Sequence, residues 1–169
     1  LDGVIWRGDR LLPSVKEALD YVLAAGLQLR YVSNNSTAHR RKVAERLQQL
    51  GLPAAAEWVL TSAFVTGQWL RPRLPAGAPV MVLGEAGLLE ELREAGLHAY
   101  YVSDCEEQAG MPAAMVVGMD RSVTYPSLAK AQAAIRAGAL FIATNPDPTF
   151  PIPGGETPGA GTLVAAVAT

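Results

Sequence analysis

Short apolar runs alternate with helical periods along this chain, the pattern of α/β layers. Apolar Val15, Ala18, Leu19, Val22 and Leu23 recur at helical intervals, with Ser14 and Glu17 at capping-box spacing. Gly26 suits the left-handed residue that closes such a helix, and an apolar-rich strand is expected over 27–32. A second helix is expected over 38–50, ending at Gly51, and a third from Ser62 to before Pro72.

Residues 71–79 hold three prolines and one glycine and read as a hinge or linker. Beyond them the pattern repeats. Met81-Val82-Leu83-Gly84 opens a unit with a helix over 87–95, a Gly96 cap and a strand through Tyr100-Tyr101-Val102. Met115-Val116-Val117-Gly118 opens another, with a helix over 127–137, a Gly138 cap and a strand over 140–143. Two strand-helix-strand units in succession predict a small α/β domain of their own.

Composition narrows the function classes. At 169 residues, half of them hydrophobic, the chain can bury a real core, as one ordinary domain or two small ones. A net charge of −2 argues against a nucleic-acid surface, because phosphate backbones are bound by clustered Lys and Arg. No apolar run approaches the roughly 18 residues that span a bilayer, so no membrane partner is expected. The chain opens inside a structured motif with an acid at its second position, which is no secretory signal; a cytoplasmic protein is the expectation. The lone Cys105 rules out an internal disulfide, fits a reducing compartment, and reads as buried or incidental.

Two segments carry candidate chemistry. Asp2-Gly3 alone is a turn signal, and Gly8-Asp9 between Trp6 and Leu11 suits a hairpin. In Tyr31-Val32-Ser33-Asn34-Asn35-Ser36 a strand runs straight into four small polar residues. The carboxyl end of a parallel strand is where α/β sheets place ligands, and hydroxyls, amides and backbone N–H groups cradle an anion such as phosphate. The same residues also serve as a polar loop that caps the next helix. His39 and His98 lack metal-ligand spacing and read as surface or partly buried side chains.

Taken together, these segments resemble the haloacid dehalogenase superfamily, in the branch of p-nitrophenylphosphatase-like, pyridoxal-phosphate and phosphoglycolate phosphatases. Leu1 to Trp6 match its first strand except for a leading Asp, and Ser33-Asn34-Asn35 match its second motif. Ala143-Thr144-Asn145-Pro146-Asp147, Pro158-Gly159-Ala160-Gly161 and Gly118-Met119-Asp120 followed by Thr124-Tyr125 match its cap. The resemblance covers essentially the whole chain. It implies a Rossmann-like parallel-sheet core with an inserted α/β cap, the N-terminal part of the core over 1–76 and the cap over 77–169.

The implied reaction is hydrolysis of a small phosphorylated metabolite through an aspartyl-phosphate. An Asp before Leu1 would attack phosphorus, while Asp2, two residues on and facing the same side of the strand, would act as general acid and base. Asp2 would also help hold Mg²⁺, a hard cation that prefers oxygen ligands. Ser33, Asn34 and Asn35 would bind the phosphoryl oxygens. Asn145, Asp147 and Phe150 lie where related caps lower a loop over the leaving group; the alternative is a simple proline-rich turn. A His in pyridoxal-phosphate phosphatases falls at the position of Phe150, which points away from that substrate. Related caps often mediate dimers, and a homodimer through the cap is one of the oligomeric states the sequence leaves open.

The family's later motifs, a phosphate-binding Lys and a Gly-Asp segment, normally follow the cap, and Lys16, Lys42 and Lys130 all precede that point. The sequence as it stands is therefore expected to be an inactive part of an enzyme. One competing reading is a non-catalytic phosphate-ligand binding module of the same fold. Another is a nucleotide-binding α/β protein, against which stand the lack of a Walker-type loop and the position of Gly159-Ala160-Gly161.

Overall fold

The computed structural model describes residues 1, 3–104, 110–152 and 154–168. Asp2 and Cys105 lie outside the described residues. The chain divides into two compact units, Leu1–Ser33 with Arg40–Thr61, and Asn34–His39 with Ser62–Thr169.

In the first unit β1 (Trp6–Arg7) and β2 (Arg10–Leu11) form the hairpin expected at Gly8-Asp9, with Trp6 opposite Leu11 and Gly8 at φ 56°. α1 (Val15–Ala24) follows. Its expected capping box does not form: Ser14 sits at φ 62° and its side chain makes no capping bond. An N-cap side chain reaches the helix N–H groups from extended backbone, and a left-handed residue aims it elsewhere. The other end closes as expected. Gly26, at φ 71°, donates to the Leu23 carbonyl while Leu27 donates to that of Val22, the Schellman pair. None of the residues of α1 is buried, so its apolar stripe is only half-covered within the described residues.

The strand expected over 27–32 is shorter and shifted. β3 (Tyr31–Ser33) pairs in parallel with β4 (Val59–Thr61), whereas Leu27 is exposed and takes no part in the ladder. Between them α2 (Arg40–Gln49) buries Val43, Ala44 and Leu47 and ends in a second Schellman pair at Gly51. The Arg46 guanidinium lies 4.6 Å from the centre of the buried Trp6 ring, a cation–π contact that pins the hairpin to α2.

The second unit contains the predicted repeat. It starts with residues 34–39 and α3 (Ser62–Leu70), followed by β5 (Pro79–Leu83), α4 (Ala86–Glu94) and β6 (His98–Tyr101). Then come β7 (Ala114–Val117), α5 (Tyr125–Arg136) and β8 (Leu140–Ala143). These strands make one parallel sheet in the order β6-β5-β7-β8. Side chains alternate across it. Val80 and Val82 join Leu88, Leu92, Ala63 and Leu70 on the face covered by α3 and α4, whereas Met81 and Leu83 join Ala131 and Ala134 on the other. Each fully buried Val or Leu stabilises this sandwich by about 1.5–3 kcal/mol. Gly67 brings α3 close to α4, since a Cβ there would stand 3.1 Å from the Glu91 carbonyl oxygen.

The hinge-like residues 71–79 are tied back within this unit: Gly77 donates to the Gly96 carbonyl, and Leu74 packs on the core. After β8 a hairpin of β9 (Thr149–Ile152) and β10 (Gly155–Pro158) precedes α6 (Ala160–Val167). Among the described residues no helix is long and apolar enough to cross a membrane.

Candidate functional site

Ser33 is the last residue of β3, opposite Thr61, and is 9% exposed, so its hydroxyl ends a parallel strand as the sequence suggested. From Asn34 the chain belongs to the second unit, where residues 34–39 are held closely. Ser36 is buried and its hydroxyl accepts from the Met119 N–H at 3.2 Å. Gly87 donates to the Thr37 carbonyl, and a Cβ on Gly87 would stand 2.3 Å from Ala38 backbone. Likewise a Cβ on Gly118 would stand 2.8 Å from Ser36 Oγ. Both glycines are therefore fixed by the close approach of this segment.

The two expected phosphate-binding asparagines part ways. Asn35 Oδ1 accepts from Thr37 N at 2.6 Å, Thr37 Oγ1 at 2.9 Å and Ala38 N at 3.3 Å. That is an Asx turn, and it assigns the carboxamide oxygen to the capping role weighed as the alternative. Asn34 turns the other way. Its Nδ2 donates to Asp147 Oδ2 at 2.5 Å, and its carbonyl accepts from Ser62 Oγ at 2.8 Å and Asn145 Nδ2 at 3.2 Å. Asn145 Oδ1 in turn accepts from Asp147 N at 3.1 Å.

The structure thus brings Asn34, Asn145 and Asp147 together. Phe150 is not part of that set: it lies on β9 opposite Thr157 and is 37% exposed. The 145–148 loop rests on the start of α6. Gly159 donates to the Pro148 carbonyl and Gly161 to the Asp147 carbonyl, both at 2.8 Å, and Thr162 Oγ1 donates to Pro148 O at 2.7 Å. A Cβ on Gly159 would stand 2.4 Å from Asp147 O, and one on Gly161 would stand 2.1 Å from Pro146 O. The Pro-Gly-Ala-Gly motif is therefore a seat for the 145–148 loop. Its Gly159 and Gly161 N–H groups are taken by carbonyls, which removes the Gly-rich nucleotide reading of this stretch.

One constellation escaped the sequence. His39 Nε2 lies 3.5 Å from Glu91 Oε1 and 3.3 Å from Glu94 Oε1, with His39 and Glu91 buried. Ligand atoms of the three residues lie within 4.8 Å of one another. The i, i+3 spacing of Glu91 and Glu94 on α4 was the available signal, but nothing in the sequence tied it to His39. A site containing imidazole suits a transition metal better than Mg²⁺, which demands an oxygen shell. The Mg²⁺ expected by resemblance is assigned to the backbone carbonyl of Asp2, which lies outside the described residues.

A cavity of about 480 Å³ opens at the carboxyl ends of β5, β6 and β7, lined among others by Glu85, Tyr101, Ser103, Asp120, Ser122 and Thr124. Strand order reverses here, the usual position of an α/β ligand crevice. Glu85 is held by Arg121 in a two-pronged pair at 2.7 Å. Burial raises the Tyr101 phenol above its ordinary pKa; Arg93 opposes the rise, and Glu90, Asp104 and Asp120 add to it. Among the described residues its lining holds two carboxylates and no Lys or Arg, a poor match for a phosphoryl group.

Residues 1–98 match the family of haloacid dehalogenase-like hydrolases. The chain is 37% identical to an acid sugar phosphatase of Staphylococcus aureus, over 99% of this chain and 61% of that protein. It superposes on a p-nitrophenyl phosphatase from Archaeoglobus fulgidus with a TM-score of 0.87 at 34% identity, covering 98% of this chain and 60% of that one. A glycerol phosphate phosphatase from Mycobacterium tuberculosis, solved in complex with magnesium, gives 0.87 at 33% identity, covering 100% and 50%. The chain thus spans about three fifths of the length of the curated relative it matches. With its ordered motifs, parallel α/β architecture and this family match, the chain belongs to the haloacid dehalogenase-like hydrolases.

Proposed function

We propose that the complete polypeptide carrying this chain is a Mg²⁺-dependent phosphomonoester hydrolase acting on small phosphorylated metabolites. In this reading residues 1–76 contribute to the catalytic core and residues 77–169 form its cap. The observation that carries it is Ser33: a buried hydroxyl at the carboxyl end of a parallel strand, in a chain whose relatives are named phosphatases. The hydroxyl would donate to a phosphoryl oxygen, a contact that strengthens as charge develops in the transition state. Asp2 would protonate the leaving oxygen and then take a proton from water. An Asp preceding Leu1 would be the nucleophile. Mg²⁺, when bound, supplies charge neutralisation to the phosphoryl group. The cap loop at Asn145 and Asp147, with Phe150 beyond it, would meet the leaving group.

The experiment is hydrolysis of p-nitrophenyl phosphate by the complete protein, with Mg²⁺ and after chelation. Turnover restored only by Mg²⁺ supports the reading. Phosphate-ligand binding without turnover, in protein retaining the nucleophilic Asp, favours the non-catalytic module instead.

A further inference from the structure

We infer that Asp147 is a positioning residue: it fixes the carboxamide of Asn34, making Asn34 the anchor of the 145–147 loop rather than a phosphoryl ligand. This rests on the phosphatase reading, which makes that loop the part that meets substrate. The bonds close a ring. Asn34 Nδ2 donates to the Asp147 carboxylate, Asp147 N donates to Asn145 Oδ1, and Asn145 Nδ2 donates to the Asn34 carbonyl. Ser62 Oγ adds a second donor to that carbonyl.

Two physical points give the ring its meaning. A carboxylate only accepts, so the amide nitrogen of Asn34 must face Asp147, and the orientation of the carboxamide is determined. In addition, a phosphoryl dianion at the same amide would stand beside the Asp147 carboxylate and be repelled by it. The far side of the loop is equally fixed, since Gly161 N donates to Asp147 O and Gly159 N to Pro148 O. Asp147 is thus held through its main chain by α6 and holds Asn34 through its side chain. Asn34 and Asp147 are 113 residues apart, so the ring sets the loop against the segment that follows Ser33.

The test uses the full-length protein with p-nitrophenyl phosphate and Mg²⁺, and five variants: Asn34→Ala, Asp147→Ala, the two alanines combined, Asn34→Asp, and the exchange Asn34→Asp with Asp147→Asn. A charge-assisted bond of this kind predicts about a 10- to 100-fold loss of kcat/KM for either alanine variant, carried by KM rather than kcat. Combining the two alanines costs no more than one alone. The exchange restores an amide–carboxylate pair with reversed polarity, and recovers kcat/KM to within about threefold of the parent. If Asn34 instead binds phosphoryl oxygens, Asn34→Asp is inactive and the Asp147→Asn partner does not rescue it. That result, or additive alanine effects, overturns the inference. The same cycle followed by urea unfolding stands apart from activity. A protein that hydrolyses nothing refutes the phosphatase reading, while unfolding midpoints that shift non-additively still uphold the ring and additive ones overturn it.

Discussion

Replacing Gly161 by alanine sets two effects against each other. Alanine in a helix gains about 1 kcal/mol over glycine. Its Cβ, however, would stand 2.1 Å from Pro146 O, 2.5 Å from Pro146 C and 2.7 Å from Asp147 C. All three are backbone atoms, so no side chain can rotate aside, and the loop must retreat by roughly 1 Å to reach an ordinary contact. Such overpacking costs about 1–3 kcal/mol. The retreat also stretches the bonds from Gly161 N to Asp147 O and from Gly159 N to Pro148 O, each contributing about 0.5–1.5 kcal/mol. Less the helix gain, the net expectation is a loss of about 1–5 kcal/mol. Gly138→Ala is the control: its φ is 105°, with nothing within 4 Å of an added Cβ, so only backbone strain of about 1–2 kcal/mol applies. Urea unfolding of the complete protein, followed by circular dichroism, compares the two. Gly161→Ala as stable as the parent, or more so, would mean that the loop is not pressed against α6, and would remove the structural basis for the Asp147 ring.

Two further outcomes follow from burial and capping. Leu92→Ala, at a fully buried side chain between α4 and the sheet, should lower stability by about 2–5 kcal/mol in the same unfolding assay. Thr124 is the N-cap of α5 and accepts from Ser127 N, so Thr124→Ala should cost about 0.5–2 kcal/mol, and Thr124→Ser should recover most of it.

The strand-helix repeat was legible because β5 and β7 are covered on both faces, which gives parallel strands a continuous apolar run such as Met115-Val116-Val117. The helix ends at Gly26 and Gly51 were legible because a left-handed cap selects glycine locally. Strand 27–32 was over-read because hydropathy reports burial rather than pairing, and only Tyr31–Ser33 finds a partner in Val59–Thr61. The β9–β10 hairpin was hidden by its prolines, which a sheet interior excludes but a two-stranded ribbon with outward edges tolerates. At the site, local sequence identified the residues and missed their division of labour. Asn34 and Asn35 look alike in sequence, yet one caps its own turn and the other reaches Asp147, because tertiary contacts decide where each amide points. The meeting of His39 with Glu91 and Glu94 has the same origin.

The most direct test of the account concerns Asp2. The complete protein and its Asp2→Asn variant should be compared for hydrolysis of p-nitrophenyl phosphate with saturating Mg²⁺. The account predicts that the variant keeps its fold and loses about 10²- to 10⁴-fold in turnover, the usual contribution of a general acid–base group. Unchanged turnover in a folded Asp2→Asn protein would contradict it.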